Sequence, residues 1–221
     1  MLIVLRFSVE KTERKRSSPW KDGFLFVGNH LALDFLNTRP IMDDGPVELL
    51  PDSNAVLRWF QAAGVMNSRQ AATFRSTWGN SQAMQDAPHN LRAWRERLRP
   101  ALVAWEAGRS LPKATLQELN RLMAEYPLRT RLTTSGRDLT TESWFEPQTP
   151  GGLIAPLAHS AAMLFATAER SRVRMCGNCV LHFLDTSKKG TRRWCSMEMR
   201  GNRFKVAAYS ARQRKASNGV S

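Results

Sequence analysis

The segment HNLRAWRERLRPALVAWEAG, residues 89–108, gives the clearest indication of the fold. Its apolar side chains recur at steps of three and four residues: Leu91, Trp94, Leu98, Leu102 and Trp105. This spacing aligns side chains along one face of an α-helix, while the arginines fall at other positions. We therefore expect a long amphipathic helix whose tryptophan-containing face packs against neighbouring helices.

Five further segments show helical patterns on either side of this one. They are residues 28–40, 51–64, 67–79, 112–126 and 151–172. Asn29 is expected to cap the first of them and Asp52 or Ser53 the second, because short polar side chains accept hydrogen bonds from the N–H groups of a helix start. The body of the chain is therefore predicted to be helical.

Two β-rich pieces, PLRTRLTT and DLTTESWFE, surround the short turn SGR. This order predicts a β-hairpin near 128–146, which makes the fold class mainly α with a small β element (α+β). We expect a helical body over 23–171, a compact basic module over 172–216 and a tail over 217–221. Residues 1–22 are expected to form a flexible basic extension, or at most an added edge strand.

The positive charge is concentrated at the two ends of the chain. The formal net charge is +14. Residues 172–221 hold twelve Lys and Arg against two acidic residues, and residues 1–21 hold six against two. The two ends contribute +10 and +4, so residues 22–171 are neutral. A neutral body with a basic C-terminal module favours binding of a polyanion.

Other features argue against a membrane protein, a disulfide-rich secreted protein and an enzyme. The longest apolar run is interrupted by Pro156 and His159, so it does not suit a membrane span. The first residues lack the pattern of a signal peptide, and three clustered cysteines do not suggest a disulfide framework. The sequence contains no phosphate-binding loop, nucleophile elbow or HExxH motif. We expect a cytoplasmic protein that is not an enzyme.

The three cysteines form a candidate metal site. CGNC, residues 176–179, places two thiols on either side of a Gly-Asn turn, and fifteen residues separate its second thiol from Cys195. This spacing is close to that of zinc ribbons, in which paired thiolates converge on a tetrahedral ion. Cys176, Cys179 and Cys195 are therefore the expected ligands, and Zn²⁺ is the expected cofactor.

The segment that follows Cys195 predicts a strongly basic helix, SMEMRGNRFKVAAYSARQRK, residues 196–215. A metal-braced turn that orients a basic helix suits contact with the phosphates or groove edges of double-stranded DNA. The candidate DNA contacts are Arg192, Arg193, Arg200, Arg203, Lys205, Arg212 and Arg214. Aromatic side chains that could stack on single strands are sparse here, so duplex DNA is favoured over RNA.

Two stretches resemble known bacterial families. Residues 172–214, RVRMCGNCVLHFLDTSKKGTRRWCSMEMRGNRFKVAAYSARQR, resemble the CGNR zinc-finger family. GNHLALDFLNT, residues 28–38, is similar to the opening of the ABATE domain that usually precedes that finger. The resemblance implies a transcriptional regulator. In such a protein a zinc finger binds DNA, while the body senses a small-molecule effector or forms a homodimer.

The chain departs from the CGNR pattern at one ligand position. Arg200, in RGNR, stands where the family has its last cysteine, whereas the other three cysteines match. A cation cannot ligate zinc, so three alternatives follow. His182 could complete a Cys3His site, or Asp185 or water could fill an open position. Alternatively, zinc has been lost and packing around Trp194 holds the module.

Two other functions are consistent with the sequence. His30 and Asp34 lie one helical turn apart, with Asn37 further along. The body could therefore bind a polar small molecule or act as an enzyme at these three residues. The cysteines could instead serve as a redox sensor beside a degenerate finger, since nearby cations lower the pKa of thiols.

Overall fold

The computed structural model describes residues 5–7, 18–42, 45–136, 138–177 and 179–196. Within these ranges the helices α1 to α6 are Leu31–Leu36, Ser53–Ala62, Ser68–Trp78, Gln82–Glu106, Lys113–Glu125 and Ala155–Thr167. The strands β1 to β9 are Leu5–Phe7, Trp20–Lys21, Phe24–Leu25, Ile41–Met42, Gly45–Pro46, Arg129–Ser135, Asp138–Phe145, Val173–Met175 and His182–Leu184. Short 3₁₀ turns cover Pro150–Ile154 and Arg170–Arg172. The predicted class, mainly α with a small β element, is confirmed.

Local side-chain caps explain where two of the helices begin. Asp52 accepts a hydrogen bond at 2.8 Å from the backbone N–H of Ala55, which confirms it as the cap of α2. Asn67 and Gln70 form a reciprocal capping box at the start of α3. These contacts satisfy N–H groups that a helix start would otherwise leave without partners.

The core of the body is built from aromatic rings on three helices. The ring of Phe35 on α1 lies 5.6 Å from that of Trp94 on α4 and 5.9 Å from that of Trp59 on α2. All three side chains are buried. The apolar face predicted for the long helix α4 thus packs against α1, the short helix at the centre of the body.

The predicted hairpin is present, and a third strand joins it. β6 pairs antiparallel with β7 from Arg129 opposite Trp144 to Ser135 opposite Asp138. β1 pairs with the other edge of β7, so the sheet order is β1-β7-β6. Residues 5–7 therefore form an edge strand, which is the second of the two alternatives expected for the first 22 residues.

A second, smaller apolar cluster lies beside the main core. It contains Leu25 and Val27 from the start of the body together with Leu181, Phe183 and the three cysteines. We call residues 173–195, from β8 to the last cysteine, the knuckle. In the described part of the chain, no helix combines the length and apolar character needed to cross a membrane.

Candidate metal centre and its attachment to the helical body

The structure brings the three predicted ligand cysteines together. Cys176 follows β8, Cys179 lies in the turn towards β9, and Cys195 ends the knuckle. Their sulfur atoms all lie within 4.8 Å of one another, and those of Cys179 and Cys195 are 3.5 Å apart. All three side chains are buried, and no disulfide links them in the described residues. Three thiols therefore converge on one point.

Gly177 lets Trp194 close over the cysteine turn. A Cβ atom at Gly177 would lie 3.0 Å from the Trp194 ring, so a larger residue would crowd it. The backbone N–H of Gly177 donates to the carbonyl of Arg193 at 3.3 Å, and that of Cys195 donates to the Cys176 sulfur at 3.4 Å. The third cysteine is thus held to the first pair by contacts that do not require a metal.

The environment of the thiols is apolar. Leu25 and Val27 of the body and Phe183 of the knuckle pack around them. Hydrogen bonding to the Cys176 thiol, together with burial, raises the pKa of Cys179 well above its ordinary range and raises the pKa of Cys195 to about 11. For Cys179 and Cys195 these shifts run opposite to the expected lowering of the thiol pKa by nearby cations. Without a metal, burial and hydrogen bonding therefore disfavour the thiolate at Cys179 and Cys195, which weakens the redox-sensor hypothesis because the thiolate is the reactive form.

The motif GNHLALDFLNT attaches the knuckle to the body. The side chain of Asn37 donates to the carbonyl of His182 at 2.8 Å and accepts from the N–H of the same residue at 2.9 Å. The N–H of Leu184 donates to the carbonyl of Gly28 at 2.8 Å, and the Asn29 amide donates to the Leu184 carbonyl at 2.9 Å. We call these four hydrogen bonds the clasp. They satisfy both backbone groups of two residues of β9.

The backbone at the start of this motif suits the clasp. A Cβ atom at Gly28 would lie 2.8 Å from the backbone nitrogen of Asp34, so only glycine fits without a shift. Asn29 has a φ of 54°, in the left-handed region that asparagine tolerates better than most residues. The prediction that Asn29 caps α1 is wrong. The N-cap is His30, and the amide of Asn29 binds β9 instead.

Family models match both parts of this arrangement. The ABATE model, described as "Putative stress-induced transcription regulator", matches residues 29–168. The model of the CGNR zinc finger matches residues 172–213. The first match alone covers more than half of the 221 residues. The chain belongs to the ABATE family and carries a CGNR zinc finger. Both predicted resemblances are confirmed, and no individual curated protein matches the chain.

The CGNR cluster is compatible with a Zn²⁺ site, to which it supplies three thiol ligands. Structural zinc takes four ligands, and His182 does not provide the fourth. Leu181 and Phe183 face the cysteine cluster, so the alternation of a strand turns His182 to the opposite face. There its Nδ1 atom lies 2.7 Å from Oε1 of Glu106, at the end of α4. The prediction of a Cys3His site is therefore wrong, and His182 is a further link between finger and body.

Asp185 shapes the segment of residues 185–195, which contains Lys188, Lys189, Arg192 and Arg193 and which we call the basic turn of the finger. One carboxylate oxygen accepts from the N–H of Ser187 at 2.9 Å and the other from the N–H of Arg192 at 2.8 Å. Burial opposes ionisation, but these hydrogen bonds hold the pKa of Asp185 below its ordinary value. Both oxygens are engaged in the turn, so the alternative of Asp185 as fourth ligand is not supported.

Three arginines of the finger bind backbone carbonyls of the same turn. Arg172 reaches Asp185 and Ser187, Arg174 reaches Gly190 and Arg192, and Arg192 reaches Trp194 and Cys195. Sequence reasoning missed the roles of Arg172 and Arg174. The signal was the pair of arginines two positions apart in RVRM, directly before the first cysteine.

The predicted DNA contacts fall into three groups. The guanidinium of Arg192 lies 4.9 Å from the centre of the Phe183 ring and binds the carbonyls of Trp194 and Cys195. These contacts favour a structural role for Arg192 inside the finger over the predicted DNA contact. Arg193 is exposed, as are Lys188 and Lys189 of the same turn. The remaining predictions lie outside the described residues: Arg200, Arg203, Lys205, Arg212 and Arg214.

The residues predicted to bind a ligand in the ABATE body have separate partners. Nδ1 of His30 lies 3.2 Å from the hydroxyl of Ser160 on α6, and burial lowers the pKa of His30 to about 4. A carboxylate oxygen of Asp34 accepts from the N–H of Gly28 at 2.7 Å, and Asn37 belongs to the clasp. The structure therefore gives each of these polar groups a partner within the protein and does not join them into one ligand site.

A cavity of about 240 Å³ lies elsewhere in the ABATE body, between α4, α5 and the turn Pro150–Ile154. Its lining includes apolar Leu91 and Leu122 and polar Asn90, Arg121 and Tyr126. Burial and a hydrogen bond with Glu125 raise the pKa of Tyr126 to about 12, so its phenol stays protonated. At about 240 Å³ the cavity is smaller than the roughly 300–1,000 Å³ of typical small-molecule sites, so it suits only a small ligand.

Proposed function

We propose that this ABATE-family protein is a transcription regulator whose knuckle and basic C-terminal segment bind double-stranded DNA. The observation that carries the proposal is that some cations of the finger bind its own backbone while others are exposed. Three arginines hold the turn from inside, while Lys188, Lys189 and Arg193 point into solvent. A turn held in this way presents positive charge in a defined geometry, which suits contact with DNA phosphates.

The position of the turn along the chain supports the same function. It leads directly into residues 196–215, which contain a further six Lys and Arg and one Glu. The clasp keeps the finger against the body, so a change in the body can reach the DNA-binding surface through β9. The family description of a stress-induced regulator agrees with this arrangement.

The experiment is selection of genomic DNA fragments on the purified full chain across a salt series, followed by titration of a selected fragment. We expect log affinity to fall steeply with log salt, because phosphate contacts release counterions. Arg193→Gln should reduce the magnitude of that slope by about 1. Arg69→Gln, at an exposed position on α3, is the matched control. An equal slope for both variants would count against the proposed DNA surface.

A second candidate function, binding of a small effector by the body, is favoured by the cavity between α4 and α5. Its mixed lining suits a molecule with an apolar part and a polar end. Ala83→Trp should fill the cavity from its exposed side. Small molecules that raise the unfolding temperature of the wild-type protein should then have no effect on the variant. A persisting effect would place the ligand elsewhere.

A further inference from the structure

Among the described residues, no fourth cysteine and no histidine joins the three cysteines of the cluster. The chain contains three cysteines and four histidines, and all seven lie among the described residues. The metal-binding group formed by described residues contains the three cysteines alone. His182 contacts Glu106, His30 contacts Ser160 on α6, and His159 packs against a phenylalanine ring. His89 is exposed on α4.

This ligand set fits structural zinc incompletely. Zinc in structural sites is almost always bound by four ligands in a tetrahedron. The family is named for a CGNR motif, but the matched segment reads RGNR at residues 200–203, so no cysteine stands there. The exposed fractions of Cys176, Cys179 and Cys195 are 4%, 7% and 1%, which limits the access of water as a substitute ligand.

The surroundings of the cluster favour a neutral complex. Apolar side chains from body and finger enclose the sulfur atoms. A net charge buried among such side chains costs free energy unless it is paired. Three thiolates leave a net charge of −1 around Zn²⁺ and −2 around Cu⁺. The same three thiolates leave no net charge around a trivalent ion.

From this geometry we propose that the three cysteines bind trivalent arsenic in preference to zinc. Trivalent arsenic completes its bonding with three sulfur atoms, and its lone pair occupies the fourth position of the tetrahedron. The sulfur atoms are already within 4.8 Å of one another, so binding requires little rearrangement of the finger.

The reaction with arsenous acid is balanced without an oxidant or reductant. Three As–O bonds and three S–H bonds break, and three As–S bonds and three O–H bonds form. Three water molecules leave, and arsenic remains in the +3 state. The product is a neutral arsenic tris-thiolate within the apolar cluster.

The arrangement of the finger assists this binding. The N–H of Gly177 donates to the carbonyl of Arg193, and the N–H of Cys195 donates to the Cys176 sulfur, which fixes the third sulfur relative to the first two. Asn37 fixes β9, which directly follows the CGNC turn. A ligand set held in position before binding loses less conformational entropy when the ion arrives.

The test is direct binding to the reduced, metal-free full chain, with sodium arsenite and zinc sulfate as the probes. We expect one arsenic per chain and three As–S bonds by X-ray absorption spectroscopy. We also expect arsenic to stay bound when equimolar zinc is added. Fewer than three As–S bonds, or displacement by equimolar zinc, would overturn the proposal.

Two variants separate the ligand set from general effects on folding. Cys195→Ser removes a ligand and should weaken arsenic binding by more than ~100-fold. Loss of a residue that only supports a ligand costs up to about that factor. Arg200→Cys supplies the missing thiol and should reverse the preference, so that equimolar zinc displaces arsenic. An unchanged preference in Arg200→Cys would contradict the inference. The measurements need no DNA, so their outcome is independent of the proposed DNA-binding function.

Discussion

The helical body and the knuckle are stabilised by different kinds of interaction. In the body, large rings such as Phe35, Trp59 and Trp94 are buried against one another. In the knuckle, arginine side chains bind backbone carbonyls, and the apolar cluster around the cysteines is completed by Leu25 and Val27 of the body. Residues of the body thus complete the apolar core of the knuckle and supply one side of the clasp.

This difference indicates that the knuckle depends on the body for its stability, whereas the body does not depend on the knuckle. Burial of apolar area is the main favourable term in folding, and the knuckle has little of its own. Loss of the body core should therefore unfold both regions, whereas damage to the clasp should release the knuckle and leave the body folded. The changes below test this asymmetry.

The largest effect is expected from Trp94→Ala in the core of the body. Trp94 is 2% exposed and packs on Phe35, so truncation should cost about 3–5 kcal/mol of the free energy of unfolding. Chemical denaturation followed by circular dichroism measures the loss. Val103→Ala, at a 40% exposed position on the same helix, should cost less than about 1 kcal/mol. Equal losses would contradict the assignment of the core.

A smaller and more local effect is expected from Asn37→Ala. The change leaves the N–H and C=O of His182 without their partner in a buried position, and we expect a cost of about 1–3 kcal/mol. Hydrogen exchange should quicken in β9 and around the cysteines much more than in α4. The exposed Asn90→Ala on α4 is the matched control and should leave exchange in β9 unchanged. Uniform acceleration in Asn37→Ala would mean that the two regions unfold together.

The same contrast explains how much could be predicted from the sequence. Helix α4 follows from a local spacing of apolar residues, and the approach of Cys176 to Cys179 follows from the CGNC turn. Cys195 was expected beside them from its zinc-ribbon spacing. The clasp joins Asn37 to a residue 145 positions away, so no local pattern reveals it. His182 was predicted as a zinc ligand because it follows Cys179 by three residues, and this prediction was wrong. Once residues 182–184 are known to form a strand, alternation places His182 on the face away from the cysteines.

An intermediate effect is expected from pH, through His30 at the contact between α1 and α6. Ser160 accepts from the N–H of Ala32 and can donate its hydroxyl proton to neutral His30. Because burial lowers the pKa of His30 to about 4, the unfolded chain takes up a proton below pH 6.5 that the folded protein does not. Stability should therefore fall by about 2 kcal/mol from this group between pH 7 and pH 5.

Denaturation of variants at both pH values isolates this contribution. His30→Gln should show a smaller loss between pH 7 and pH 5 than the wild-type protein, by about 2 kcal/mol. His89→Gln, at an exposed position on α4, should show the wild-type loss. If the two variants behaved alike, His30 would not be the group responsible.

The smallest stability effects compare two arginines of the finger. Arg174 binds the carbonyls of Gly190 and Arg192, so Arg174→Ala should cost about 1–2 kcal/mol, seen as faster hydrogen exchange in the basic turn. Arg193 is exposed, so Arg193→Ala should change stability by less than about 0.5 kcal/mol. For DNA affinity the proposed function predicts the reverse order, because the Arg193 side chain is exposed whereas Arg174 is engaged by two carbonyls of the finger. If Arg174→Ala alone reduced the salt dependence of DNA binding, the division between inner and outer cations would be wrong, and the finger would contact DNA through the face that holds its turn.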